Sequence, residues 1–107
     1  MNNQETFDIV AEHLMKQGER SVDVNGCAYR GMGDLKCAVG VLISDADYRH
    51  SMEGECPSNI RLLDGFDIHL LDTLQWLHDV KDPQEWREGL ARIAGKFNLK
   101  YEGDKND

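Results

Sequence analysis

The chain is short of cysteine, of basic residues and of long apolar runs, and each shortage removes a class of function. Its three cysteines, Cys27, Cys37 and Cys56, are odd in number and form no C-x-x-C pair, so neither a disulfide framework nor a close-spaced zinc knuckle is expected. Lys and Arg number 12 against 20 Asp and Glu, a formal charge of -8. Binding to a phosphate backbone needs clustered cations, so direct nucleic-acid binding is not expected. The longest apolar run, Cys37–Ile43, falls far short of the ~20 residues that span a bilayer, and no membrane association is expected. The opening MNNQETFDIV has neither the charged nor the apolar region of a signal peptide. There is no internal repeat, low-complexity tract or linker. These absences together point to a reducing cytoplasm.

What is present suits one small folded unit. A chain of 107 residues has the commonest size of a single domain, roughly 100–150 residues. A composition 40% hydrophobic and 30% charged is that of a globular rather than a disordered chain. We assign 1–99 to the domain and 100–107 to a polar, frayed tail. Charge is uneven along it. Residues 45–85 hold ten acids (Asp45, Asp47, Glu53, Glu55, Asp64, Asp67, Asp72, Asp79, Asp82, Glu85) and three bases (Arg49, Arg61, Lys81). Such a surface is solubilising, and it also steers a basic protein partner.

Periodicity predicts an α+β, mostly α fold: about four helices around a central apolar helix, with a short β-hairpin near 21–30. Phe7, Val10, Ala11 and Leu14 make residues 4–17 an amphipathic helix, with Asn3 as N-cap and Gly18 as its stop. Val22 and Val24 followed by Asn25-Gly26 suggest the hairpin. Leu35–Ile43 reads as the buried central helix, capped by Asp34. Its alternating Val39, Val41 and Ile43 also fit a strand. Residues 44–57 read as a loop with one helical turn at 45–48, and a short helix is expected at 58–63. Phe66, Leu70, Leu74 and Leu77 mark a long helix over 66–80. Asp82, Pro83 and Glu85 form a capping-box start for the last helix, whose core face is Trp86, Leu90, Ile93, Ala94 and Phe97.

Two stretches carry candidate chemistry. In the first, Tyr29-Arg30-Gly31 and Lys36 flank a glycine-rich turn at the start of the expected central helix. Backbone N–H groups there, with two cations, suit a phosphate or carboxylate. The plainer reading is a turn that starts a core helix, since Asp34 would occupy those donors itself. In the second, Gln75 and His78 share one side of the 66–80 helix, with Asp79 beside them. This is either a polar pocket wall or a half-buried face. Trp76 lies off the core stripe and is a candidate interface anchor. A Cys–His–Asp set can be written from Cys27 or Cys37, His78 and Asp79, but the Cys37 thiol, in the most apolar part of the chain, is expected to be inert. No catalytic residue, metal or cofactor is therefore assigned, and an enzyme is the third choice.

The segments C-A-Y-R-G (27–31), L-K-C-A-V-G-V-L-I (35–43), D-x-D-Y (45–48), M-E-G (52–54) and L-Q-W-L-H-D (74–79) occur together in this order. The set resembles a family of small proteins of tailed phages and prophages, over roughly residues 5–98. Family members often carry a proline after the L-I; this chain has Ser44. The resemblance implies a context rather than a reaction, and it picks out Tyr29, Arg30, Gly31, Lys36, Cys37, Met52, Glu53, Gly54, Gln75, His78 and Asp79. It implies that the Arg30 turn, the Glu53 loop and the Gln75–His78–Asp79 face meet, with Arg30 paired to Glu53 or Asp79. The expected function is a non-enzymatic accessory protein in the host cytoplasm. It would bind and neutralise a host factor with a basic surface, a component of antiviral defence. The alternative is a homo-oligomeric binder of a nucleotide or other small anion through Arg30 and Lys36.

Overall fold

Asn2 opens the first helix, α1 (Asn3–Gln17), with a capping box: its side chain accepts from Glu5 N, and the Glu5 carboxylate accepts from Asn2 N. The cap is therefore one residue earlier than the expected Asn3. Asn3 instead donates to Asp67 Oδ2 at 2.9 Å, and this bond holds the Asp67 carboxyl below its usual range. Gly18 ends the helix at φ 68°, a conformation that costs glycine little. The computed structural model describes residues 2–23 and 26–101, without the Cys27 side chain.

Two further helices complete the frame. Asp67 caps α2 (Ile68–Val80) by accepting from His69 N and Leu70 N. Asp82, Pro83 and Glu85 form a capping box on a 3-10 turn that leads into α3 (Trp86–Lys96). The apolar stripes of the three helices meet in one core. Phe7, Leu14, Leu74, Leu77, Trp86 and Leu90 are fully buried there. None of the described helices is long and apolar enough to cross a membrane.

The fold is mostly helical, but there are three α-helices among the described residues, not four, and none is central. Cys37–Ile43 forms a turn and one 3-10 turn (Gly40–Leu42). Its peptide groups are taken by other parts of the chain. Lys36 O accepts from His13 and Gln17, Val39 N donates to Gln75 Oε1, and Arg30 donates to Gly40 O and Ile43 O. Apolarity alone does not make a helix when the carbonyls have better-placed partners. Asp34 therefore has no helix to cap. It lies in an exposed 3-10 turn at φ 63°, and Leu35 behind it is extended. Residues 57–63 likewise form two 3-10 turns, separated by an extended Ile60.

Strand pairing is minimal. β1 (Val22–Asp23) and β2 (Gly26–Cys27) are antiparallel, with Val22 opposite Cys27. The hairpin expected near 21–30 does not extend to Arg30, which bridges to Lys36 instead. The turn expected at Asn25 lies outside the described residues, as does the tail from 102 onward. Lys100 and Tyr101, assigned to a frayed tail, are held. Gln4 exchanges two hydrogen bonds with the Lys100 backbone, and Tyr101 packs edge-on to Phe7.

A second, smaller apolar cluster lies under the irregular chain, formed by Tyr29, Cys37, Val39, Ile43, Leu63 and Leu71. Gly40 sits where this cluster meets the three-helix core, and a Cβ there would overlap the Tyr29 carbonyl oxygen. Gly40→Ala is expected to cost about 1–3 kcal/mol, the usual penalty of overpacking. Gly65→Ala, which meets open space, should change stability by no more than about 0.5 kcal/mol. Urea unfolding of the two variants checks both.

Candidate functional site

Both sequence candidates are polar knots built on the irregular segment. In the first, the Glu53 carboxylate accepts from Tyr29 N (2.9 Å), Arg30 N (3.0 Å) and the Tyr48 hydroxyl (2.5 Å). Arg30 is not paired with Glu53 or Asp79, which corrects the expected ion pair. Its guanidinium donates to Gly40 O (2.7 Å), Ile43 O (2.6 Å) and Asp45 Oδ1 (3.1 Å), and stacks over the Tyr48 ring at 4.8 Å. Lys36 also approaches Asp45, at 3.6 Å. The glycine turn's two cations are thus committed to this chain's own carbonyls and to one carboxylate. Gly31 packs against Ser21 and Val22, close enough that a side chain there would collide with both.

The second knot centres on His78, which is fully buried. Its Nε2 accepts from Ser21 N at 2.9 Å, which places the proton on Nδ1, donated to Asp79 Oδ1 at 2.7 Å. The Trp86 ring stacks against it at 5.6 Å. Gln75 links this knot to the irregular chain, accepting from Val39 N and donating to Asp79 Oδ1. A histidine with both nitrogens engaged in this way has no lone pair for a substrate or a metal.

Between the knots lies a pocket of about 270 Å³. Tyr29, Glu53, Gln75 and Asp79 line it, with Cys37, Glu55 and Cys56. Four of the nine sequence candidates therefore share one cavity. Arg30, Gly31, Lys36, Trp76 and His78 are not among its lining residues. Three carboxylates face it, and Lys, Arg and His are absent from its described lining. Its volume is below the ~300–1,000 Å³ of typical small-ligand sites. The Tyr29 hydroxyl is turned to Glu55 O at 2.5 Å, and burial pushes its ionisation well up. Burial pushes the Cys37 thiol up to about 12. Among the described residues no three His, Cys, Asp or Glu side chains are grouped to hold a metal ion.

Trp76 stands apart, half-exposed at 49% on the outer face of α2. Val80, one turn on, is 57% exposed, and the Lys81 ammonium lies 5.6 Å from the indole centroid. Ser21, Tyr48, Glu55 and Cys56 are site residues that are not among the nine sequence candidates. Ser21 acts through its backbone N–H, and no side-chain pattern signals that. Cys56 could be found only from the cavity. No family model, curated protein or solved structure matches the chain.

Two chemical tests follow from these environments. Tyr48 is pushed up to about 12 by burial and by its bond to the Glu53 carboxylate. A raised folded value favours the neutral phenol, so this contribution is complete below pH ~10 and is lost as pH rises towards 12. Absorbance at 295 nm should therefore find two late-titrating tyrosines, Tyr48 and Tyr29, and Glu53→Ala should shift Tyr48 to lower pH. At pH 8, a brief iodoacetamide pulse followed by peptide mapping should label the exposed Cys56 well before the buried Cys37.

Proposed function

We propose that this chain is a non-enzymatic, phage-type accessory protein that binds a host protein with a basic surface and so neutralises it. The observation that carries this reading is the outer face of α2. Asp72, Trp76 and Val80 are spaced by four residues and all exposed, so an indole and an isopropyl group stand beside a carboxylate on one helical stripe. An exposed Trp with apolar support and a charged rim is the composition of a binding hot spot.

The distribution of charge supports the same reading. Of the ten acids between 45 and 85, eight are exposed: Asp45, Asp47, Glu55, Asp64, Asp72, Asp79, Asp82 and Glu85. A field of that sign accelerates the approach of a basic partner and repels an acidic one. The phage context rests on the sequence resemblance. The anionic-ligand alternative draws no support from the geometry, because Arg30 and Lys36 face Asp45 and the nearby pocket presents carboxylates.

The test is affinity capture from bacterial lysate with the tagged wild type, Trp76→Ala and Asp72→Lys, each first checked for an unchanged melting temperature. We expect a basic host protein retained at about 50 mM salt and released at about 300 mM, as screening requires. Both variants should lose it. Capture of nothing above background by the wild type at low salt would sink the proposal, and equal capture by the variants would remove the α2 face from it.

A further inference from the structure

The described residues of the segment from Arg20 to Lys36 make polar bonds both to α1 and to the C-terminal half of α2. On the α1 side, His13 Nε2 and Gln17 Nε2 both donate to Lys36 O at 2.8 Å, and Gln17 Oε1 accepts from Lys36 N. On the α2 side, Arg20 donates to His78 O (3.2 Å) and Lys81 O (2.6 Å), and Ser21 N donates to His78 Nε2. Ser21 also carries the local structure. It is fully buried, its hydroxyl donates to Ala28 O at 2.6 Å, and its carbonyl accepts from Ala28 N. The β1–β2 pair therefore closes on a residue whose own N–H has a histidine lone pair as its acceptor.

We propose that His78 is a proton-operated latch for Ser21, the residue on which the β1–β2 pair closes. In the neutral ring the Nε2 lone pair receives Ser21 N–H. A proton arriving at Nε2 converts the acceptor into a donor, and two N–H groups then face each other across 2.9 Å. The imidazolium keeps its bond to Asp79 and its stack on Trp86, so Ser21 is the partner displaced. Every neighbouring charge has a definite sign in this exchange. Asp79, on the same helix, supports the charged ring. Arg20, held in turn by Asp82 at 3.3 Å, opposes it from the clasped segment. His13, whose own protonation is lowered by burial, opposes it from α1 when charged. α3 presents the Trp86 ring.

His13 is not the latch, although it holds the same segment. Its Nε2–H donates to Lys36 O, and a second proton on the ring leaves that donor in place. Acid therefore breaks the Ser21 tie to α2, while the Arg20 bonds to α2 and the Lys36 bonds to α1 keep their donors and acceptors. Tyr29 and Arg30 stay anchored by Glu53, by Glu55 O and by the carbonyls of Gly40 and Ile43, so the opening is confined to Ser21 and the Ala28 bond that closes on it.

Hydrogen exchange of the wild-type protein between pH 7.5 and 5.5 tests this, a range in which His titrates and carboxylates remain ionised. After correction for intrinsic base catalysis, protection of the Ser21 and Ala28 amides should fall as pH drops. The fall should approach tenfold per pH unit once opening takes up one proton. Amides of Leu74 and Leu90 should keep their protection. Constant protection at Ser21, or loss in step with Leu74 and Leu90, would overturn the latch. His78→Gln, if folded, keeps an acceptor for Ser21 N–H but cannot charge, and its exchange should be independent of pH; a retained response would equally refute the proposal. His13→Gln should respond as the wild type does, and loss of the response there would assign the effect to the wrong histidine. If His78→Gln does not fold, the wild-type profile decides.

Discussion

Between the end of α1 and the start of α2, the described residues have only two-residue strands and single 3-10 turns as regular structure to satisfy their backbone. A buried peptide group without a partner costs roughly 1–3 kcal/mol, so a segment of this kind folds only where something else bonds to it. Here a handful of side chains does so. Glu53 receives two N–H groups, Arg30 caps two carbonyls, Gln17 takes both polar groups of Lys36, Gln75 receives Val39 N and His78 receives Ser21 N. The helices supply the frame and the apolar core, while these bonds decide the path of the rest.

That constraint changes what the polar residues mean. A carboxylate, a guanidinium and a histidine grouped beside a glycine turn resemble the parts of an active site. In this protein each one's hydrogen-bonding capacity is largely used by its own chain. Arg30 has one face on Tyr48 and its nitrogens on two carbonyls and Asp45, which leaves little for a phosphate. His78 has both ring nitrogens filled. What faces outward is different in kind: exposed carboxylates, a half-exposed Trp76 and an exposed Val80. The proposed binding reading rests on that outward face rather than on the knots.

The knots also link regions that are remote in sequence. Through Gln75 and Asp79, helix α2 touches both the turn at Val39 and the pocket wall at Tyr29. Gly40 sits under Tyr29 with no room for a side chain. A change at any of these points is felt by the pocket and by the irregular segment together, because the same bonds define both.

The sequence by itself determined the three amphipathic helices, because their apolar stripes are local signals that need no partner to be read, although the α1 cap lies one residue before the expected one. It also determined the acidity of the 45–85 stretch, the burial of Cys37 and the position of Trp76 off the core stripe. Only the tertiary structure decided the form of Cys37–Ile43. Its apolarity is compatible with helix, strand or turn, and the choice rests on donors from His13, Gln17, Arg30 and Gln75, which are far away in the chain. The same holds for Glu53, Ser21 and His78. Their roles come from which backbone groups need a partner, and that need arises only once the helices have packed and excluded water.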